Sequence, residues 1–147
     1  MPDPRVIIES LLRQQTAVTF QVHGPSMNPT IRDGNSLRVR PARPGAIRKG
    51  SIVLYRFCGR LAVHRLVACE KQTGRCLLMG DAALDGGDWI PAADILGVVE
   101  AVQGHNCCRH LDSVTARMAG MLWHILRPLR RALWNFRQTH HAQTPDR

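Results

Sequence analysis

The sequence predicts a mainly β fold, built as a coiled sheet or barrel, with a short N-terminal helix and a helical C-terminal tail. Between residues 17 and 103, short segments of alternating apolar and polar residues recur with turn signals between them, which is typical of barrels and coiled sheets. Residues 4–15 and 111–137 instead place apolar side chains at helical spacing. The 147 residues suit one domain, and 44% of them are hydrophobic and can form its core.

The individual elements follow from local patterns. Residues 4–15 are a predicted helix because apolar side chains recur on one face. In the first strand, Val18, Phe20 and Val22 alternate with polar residues. The predicted strands are residues 17–22, 36–40, 51–57, 60–70, 75–79 and 95–103. Glycine, proline and Asp-Gly or Thr-Gly pairs separate these strands, and residues 80–87 are a predicted glycine-rich loop.

The pattern changes from alternation to helical spacing after Gly104. Pro128 falls inside the helical pattern and should kink or break it. We therefore expect a β-rich domain at residues 1–104, a basic amphipathic helical tail at 105–137 and a disordered end at 138–147. The apolar positions of the tail are Leu111, Val114, Met118, Met121, Leu122, Ile125, Leu129, Leu133 and Phe136.

The chain is strongly basic, with a net charge of +9 and a pI of about 10.6. This balance favours anionic partners such as nucleic acid, acidic peptides or anionic membranes. Arginines crowd residues 32–49 and residues 127–137. The first of these segments lacks interleaved aromatic residues and any known nucleic-acid-binding motif, so the sequence argues against nucleic acid as the partner.

Cysteine usage and hydropathy indicate a cytoplasmic protein without a metal or cofactor. The five cysteines form neither Cys-x-x-Cys pairs nor zinc-binding spacings with histidines, so we expect reduced thiols. His105 near Cys107 and Cys108 could bind a metal, but reduced thiols without a metal are the expectation. The sequence shows no signal peptide, and no window supplies the roughly 20 apolar residues that cross a membrane.

One serine and one histidine form the candidate catalytic pair. Residues 24–30, Gly-Pro-Ser-Met-Asn-Pro-Thr, present Ser26 in a turn of small residues, and His64 lies in a predicted strand. A serine hydroxyl is a weak nucleophile unless a base lies within hydrogen-bonding reach. Each feature alone is ordinary, but both together in this order indicate a peptidase.

The motifs resemble those of type I signal peptidases and LexA-like serine peptidases. Residues 24–30 resemble the nucleophile segment of that superfamily, and residues 63–67 resemble the segment that carries the base. Residues 50–53, Gly-Ser-Ile-Val, resemble its Gly-Asp-Ile-Val strand with serine in place of aspartate. Residues 80–81 and 88–97 resemble the region that follows. The resemblance covers most of the chain and implies the signal-peptidase/LexA catalytic fold.

This resemblance implies a Ser-His arrangement of catalytic groups. Most bacterial members use a lysine base, whereas His64 here resembles the Ser-His subgroup of endoplasmic-reticulum and archaeal signal peptidases. A histidine already titrates near neutrality and usually needs an orienting partner that fixes its tautomer. Asp88 is the first choice for that partner, with Asp81 and Asp85 as alternatives. The backbone N–H of Ser26 is the expected oxyanion donor, and Gly24 offers no side chain for a second donor.

The predicted function is therefore a serine endopeptidase that cleaves a peptide or preprotein through an acyl-enzyme. Because no membrane anchor is predicted, we expect a cytoplasmic substrate, such as the leader of a small modified peptide. The alternative is a decayed domain of this superfamily that binds a peptide or nucleic acid. The serine at position 51 and the absence of a predicted anchor favour that alternative. The sequence does not predict an oligomeric state.

Two placements remain open for the helical tail. We expect it to pack on the β domain as an ordinary amphipathic helix. Alternatively, it lies on an anionic membrane as a peripheral contact, with Trp123 and Trp134 at the interface and the arginines outward.

Overall fold

The computed structural model describes residues 3–43, 45–104 and 106–141, with side chains as far as residue 137. Helix α1 (Pro4–Arg13) begins after Asp3, whose carboxylate accepts a hydrogen bond from the Arg5 N–H, and Pro4 suits the first helical turn. The strands are β1 (Val18–Gln21), β2 (Ser36–Pro41), β3 (Ile52–Phe57), β4 (Arg60–Glu70), β5 (Arg75–Met79), β6 (Asp88–Pro91), β7 (Ile95–Gln103) and β8 (Cys108–His110). Helices α2 (Val114–Ile125) and α3 (Arg127–His141) follow.

The strands form one antiparallel sheet in the order β1-β2-β7-β3-β4-β5-β6, and β8 pairs with β7. The pairing register shifts at three places, next to Val39, Tyr55 and Ala68. Such irregularities bend a strand and increase its twist. The sheet curls accordingly into a half-barrel, and the mainly β prediction is confirmed.

Strand β3 is buried on both faces of this curled sheet. Ile52 and Leu54 join one apolar cluster, while Val53 and Tyr55 point the other way into a second cluster. Successive side chains of a strand point to opposite faces. The continuous apolar run of β3 is therefore the sequence signature of a strand that separates two cores.

Strands β4, β5 and β7 have the predicted bounds, and β1, β2 and β3 differ from prediction by a residue or two at their ends. Two strands were missed. The four residues of β6, which pair with β5, were predicted to close a loop, and Pro91 made a strand less evident. All three residues of β8 are exposed, so it shows no alternation, and it lies inside the segment predicted as a helical tail.

The helical tail breaks close to Pro128, as predicted, because α2 ends at Ile125 and α3 begins at Arg127. Helix α3 continues to His141, four residues beyond the predicted end of the tail. Residues 142–147 of the predicted disordered end lie outside the described residues. Within the described residues, no helix combines the length and apolar character needed to cross a bilayer.

Helix α2 packs against the domain at Gly120, which is buried against the side chain of Arg65. A Cβ atom at position 120 would overlap the Arg65 guanidinium. That guanidinium cannot move aside cheaply, because it donates to the Gly50 carbonyl at 2.7 Å and to the Asp81 carboxylate at 2.6 and 2.8 Å.

We predict that Gly120→Ala destabilises the protein, although alanine is favoured over glycine in an isolated helix by about 1 kcal/mol. The cost is about 1–3 kcal/mol, since the new methyl group overpacks a closed contact. Ala119→Ser, at the exposed neighbouring position, is the matched control and should change stability by less than about 0.5 kcal/mol. Urea unfolding followed by circular dichroism measures both variants, and a stabilised Gly120→Ala protein would contradict the described packing.

Candidate active site

Ser26 lies in the loop between β1 and β2, and the loop holds its side chain outward. Gly24 has a φ of +108°, a backbone conformation that suits glycine, and its N–H donates to the Asp33 carboxylate at 2.8 Å. Ser26 is exposed, whereas the next residue, Met27, is 4% exposed and anchors the loop in the core. The Ser26 carbonyl accepts a hydrogen bond from the Ala82 N–H at 3.0 Å. The loop is thus fixed on both sides of an accessible hydroxyl.

His64 lies on β4 and is bound from behind by a tyrosine. Its Nδ1 is 2.8 Å from the Tyr55 hydroxyl, and that hydroxyl donates to Asp88 Oδ2 at 3.0 Å. Because the tyrosine proton goes to Asp88, the tyrosine oxygen accepts from Nδ1–H of the histidine. This tautomer leaves the Nε2 lone pair of His64 available.

The surroundings of His64 and Tyr55 shift their pKa values in the directions that the hydrogen bonds require. Burial lowers the pKa of His64, and the negative charges of Asp88 and Asp81 oppose that shift only in part. Burial raises the pKa of Tyr55, and its hydrogen bond to Asp88 raises that pKa further. At neutral pH, His64 is therefore an uncharged base and Tyr55 is a protonated donor.

Ser26 and His64 meet at two adjoining surface cavities. Both residues line a groove of about 310 Å³ between β1 and β4, and both line a second cavity of about 370 Å³ that reaches Asp88. Gly80 lies between them. A Cβ atom at position 80 would overlap the Ser26 carbonyl oxygen and lie 3.5 Å from His64 Nε2. His64 Nε2 and the Ser26 carbonyl oxygen thus both lie close to the same position beside Gly80.

Asp81 is fully buried and joins separate parts of the chain. Arg65 donates to both of its carboxylate oxygens, at 2.8 and 2.6 Å, and Thr30 of the serine loop donates to Oδ2 at 2.5 Å. His124 of α2 lies 2.9 Å from Oδ1. Since Arg127 donates to His124 Nδ1, the imidazole proton is on Nε2 and points at Asp81.

The charge of Asp81 is secured by these partners. Burial by itself raises the pKa of the Asp81 carboxyl, but the hydrogen bonds from Arg65, His124 and Thr30 outweigh it and hold that pKa well below its usual range. Within the part of the chain that the structure describes, the hydrogen bonds of the carboxylate all go to these three residues. Asp81 therefore faces Arg65 rather than orienting His64.

Comparison with known families identifies the family of this domain. Residues 4–80, just over half of the chain, match the family described as Peptidase S24-like. The chain belongs to this family. No curated protein matches it significantly. The family match supports the predicted resemblance to LexA-like peptidases and leaves the Ser-His subgroup as a prediction.

The three candidate aspartates of this S24-like domain have different surroundings. Asp88 Oδ2 lies 3.8 Å from His64 Nδ1, and Tyr55 bridges the two. Asp85 is exposed and pairs with Arg131 of α3 at 2.5 Å. Of the three predicted candidates, Asp88 is thus the one beside the histidine, but it acts on the ring chiefly through a tyrosine.

Sequence reasoning missed two residues of the S24-like site, Tyr55 and His124. Tyr55 is the only tyrosine of the chain. In the β3–β4 hairpin, His64 pairs with Val53, so Tyr55 lies two positions further along the same face. The hairpin register, had it been derived from the turn at residues 58–59, would have identified this neighbour. No local signal distinguishes His124 from the other histidines.

Among the described residues, which exclude His105, no group of three metal-binding side chains is found.

We predict that Asp81→Asn costs about 3–5 kcal/mol of folding free energy at neutral pH, because it leaves the buried Arg65 charge uncompensated. Asp85→Asn is the matched control on the same loop, and its exposed ion pair should contribute less than about 1 kcal/mol. Denaturant unfolding measures both. Equal losses in the two variants would contradict the central role of Asp81.

The contribution of Asp81 also depends on pH in a defined direction. Its pKa in the folded protein is below the usual 3.8, so the stabilisation is complete above that value and is lost as the pH falls below it. Asp81→Asn should remove this part of the acid sensitivity, which the pH dependence of the unfolding midpoint would reveal.

Proposed function

We propose that the protein is a serine endopeptidase in which Ser26 is the nucleophile and His64 is the general base. The observation that carries this proposal is the orientation of the histidine ring. Nδ1 is bound to Tyr55, and Nε2 lies beside Gly80, which also packs against the Ser26 carbonyl, where two open cavities are lined by both residues. A neutral imidazole held in this tautomer is the form that activates a serine.

The proposed reaction uses each group in turn. His64 Nε2 takes the proton of the Ser26 hydroxyl while Oγ attacks the peptide carbonyl. The imidazolium then gives that proton to the leaving amine, and an acyl-enzyme remains. Water enters, loses a proton to His64 and attacks the ester, and His64 returns that proton to Ser26 Oγ as the acyl group leaves. The negative charge of Asp88, 3.8 Å from Nδ1, stabilises the transient imidazolium.

Tyr55 is the proposed positioning residue. Its ring is fixed in the second apolar cluster, and its hydroxyl connects Asp88 to His64. A carboxylate bound directly to the histidine would stabilise the imidazolium more strongly. The tyrosine instead holds the tautomer while the histidine keeps a lowered pKa.

The proposed oxyanion donor is the backbone N–H of Ser26. Gly24 has no side chain to assist, and its own N–H is bound to Asp33 at 2.8 Å. In other serine peptidases, one missing donor lowers kcat by about 10²–10³-fold. We therefore expect slow turnover.

The proposed substrate is a peptide in extended conformation. The groove beside Ser26 is lined by apolar side chains of β1 and β4, including Phe20, Leu61 and Val63. Strand β1 ends the sheet order of the described residues, so its outer edge offers backbone hydrogen bonds to an added strand. Apolar side chains next to the cleaved bond would fill the groove.

The serine at position 51 does not weaken the proposal. Ser51 is buried, and its hydroxyl lies 3.4 Å from the carboxylate of Asp112, which also binds Arg40 at 2.7 Å. A carboxylate is therefore present beside Ser51 although the residue itself is not an aspartate. Neither residue lines the two cavities that contain Ser26.

We predict that Ser26→Ala and His64→Ala each lower kcat/KM by about 10³-fold or more, and that the double variant is little worse than either one. The probe is a mixture of unstructured decapeptides of random sequence, with products identified by mass spectrometry. Ser10→Ala, an exposed serine on α1, is the matched control and should retain full activity. Peptide binding without cleavage, unchanged in Ser26→Ala, would instead indicate a binding module.

We predict an acidic limb of kcat/KM with an apparent pKa below the usual 6.5 of histidine, because burial lowers the pKa of His64. Asp88→Asn should move this limb to still lower pH, since the Asp88 charge raises that pKa. Tyr55→Phe should lower kcat by about tenfold or more, since the tautomer is no longer fixed.

Profiles of kcat/KM between about pH 4.5 and 9 test these expectations, because that range brackets the usual histidine pKa. Trp89→Phe, an exposed change next to Asp88, is the control and should leave the profile unchanged. An acidic limb that stays in place in Asp88→Asn would exclude His64 as the titrating base.

A further inference from the structure

Helix α2 packs on the domain through its polar side and exposes its apolar side. Gly120 and His124 are buried. On the other side, Met118, Leu122 and Ile125 are 67%, 56% and 68% exposed. A surface helix ordinarily turns its apolar face to the core. The tail therefore packs on the domain, but not as the ordinary amphipathic helix that the sequence predicted.

The apolar side continues from α2 into α3. The Leu126 N–H binds the Leu122 carbonyl and the Arg130 N–H binds the Leu126 carbonyl, both at 3.0 Å, so helical hydrogen bonding spans the junction. Leu129 and Leu133 of α3 are 59% and 57% exposed. We call the exposed series the apolar stripe. Its members are Val114, Met118, Leu122, Ile125, Leu129, Leu133 and Phe136.

The spacing of the stripe differs from that of the common left-handed coiled coil. Its members are separated by 4, 4, 3, 4, 4 and 3 positions, so the pattern repeats every 11 residues, as from Val114 to Ile125 to Phe136. Such a repeat has about 3.67 residues per turn, close to the period of an ordinary α-helix, so its members stay on one side of each helix. The left-handed two-helix coiled coil instead has a seven-residue repeat, so the spacing argues against that kind of partner.

The charges around the stripe favour an anionic surface. Residues 113–141 contain no aspartate or glutamate and five arginines. Four of these arginines are already bonded: Arg117 to Asp112, Arg127 to Met79, Arg130 to the Asp81 carbonyl and Arg131 to Asp85. Arg48 and Lys49, both exposed, border a cavity of about 830 Å³ whose walls include Met118 and Leu122 of the stripe. Apolar side chains flanked by cations are the pattern of helices that lie in a lipid interface. A second copy of the chain would bring the same positive charge to the contact.

We propose that the apolar stripe docks this protein on an anionic lipid surface. The stripe enters the boundary between headgroups and acyl chains, and Arg48 and Lys49 beside it contact lipid phosphates. Trp123 takes no part, contrary to the sequence expectation, because its Nε1 donates to the Asp81 carbonyl at 2.8 Å and the Arg130 guanidinium lies 3.9 Å above its ring. This proposal does not depend on peptidase activity.

Co-sedimentation of the full chain with phosphatidylcholine vesicles, with and without phosphatidylglycerol, tests the proposal. We expect binding to the anionic vesicles, weaker binding at high salt and little binding to the neutral ones. The double variant Leu122→Glu/Leu129→Glu should lower the partition coefficient by about tenfold or more. The double variant Arg48→Gln/Lys49→Gln should lower it by about fivefold per removed charge.

The matched control is Phe57→Glu/Trp89→Glu, which changes two exposed aromatic residues away from the stripe, 41% and 44% exposed. It should bind anionic vesicles as the parent protein does, and circular dichroism checks that each variant is folded. Equal binding of the stripe variant and the parent, or equal binding to neutral and anionic vesicles, would overturn the proposal. The proposal would also be overturned if the parent protein bound no vesicles and formed a dimer in sedimentation velocity, while the stripe variant was a monomer. That result would identify a second copy of the chain as the occupant of the stripe.

Discussion

The buried pair of Arg65 and Asp81 is the contact on which the arrangement of the site depends. Arg65 follows His64 on β4, and successive side chains of a strand point to opposite faces. When Asp81 and the Gly50 carbonyl hold Arg65 inside, His64 is directed to the cavities that it shares with Ser26. The same carboxylate holds the serine loop through Thr30. One buried charge thus sets the positions of both proposed catalytic side chains.

Such a pair contributes more to specificity of structure than to stability. Removing two charges from water is costly, and a well-packed apolar replacement often gives equal or greater stability. An apolar cluster would not, however, hold Thr30, Arg65 and His124 in fixed directions. Hydrogen bonds to a single buried carboxylate hold these side chains in fixed directions. Any buried polar group that turned away from the carboxylate would lose its partner, which costs free energy.

Local patterns in the sequence were enough for most of the fold, and the Ser26/His64 pair that they suggest stays a proposal. Six strands were predicted from alternation and turn residues, because these signals act between neighbours along the chain. The bridge through Tyr55 was missed because it depends on hairpin register and on the course of residues 80–87. Neither is determined by alternation within one strand. The inward face of α2 was also missed, since the helix meets buried polar groups rather than an apolar core.

The outward stripe does not follow from the way α2 is held. The contact with Asp81 requires a small residue at Gly120 and polar groups at Trp123 and His124, all on the inward side. It places no demand on the outward side, where charged residues would be equally compatible with folding and more soluble. Apolar residues on that side, continued into α3 without one acidic residue, therefore need a cause outside the folded domain. Contact with an anionic lipid surface supplies that cause, because its acyl chains match the apolar side chains of the stripe and its headgroups match the absence of acidic residues.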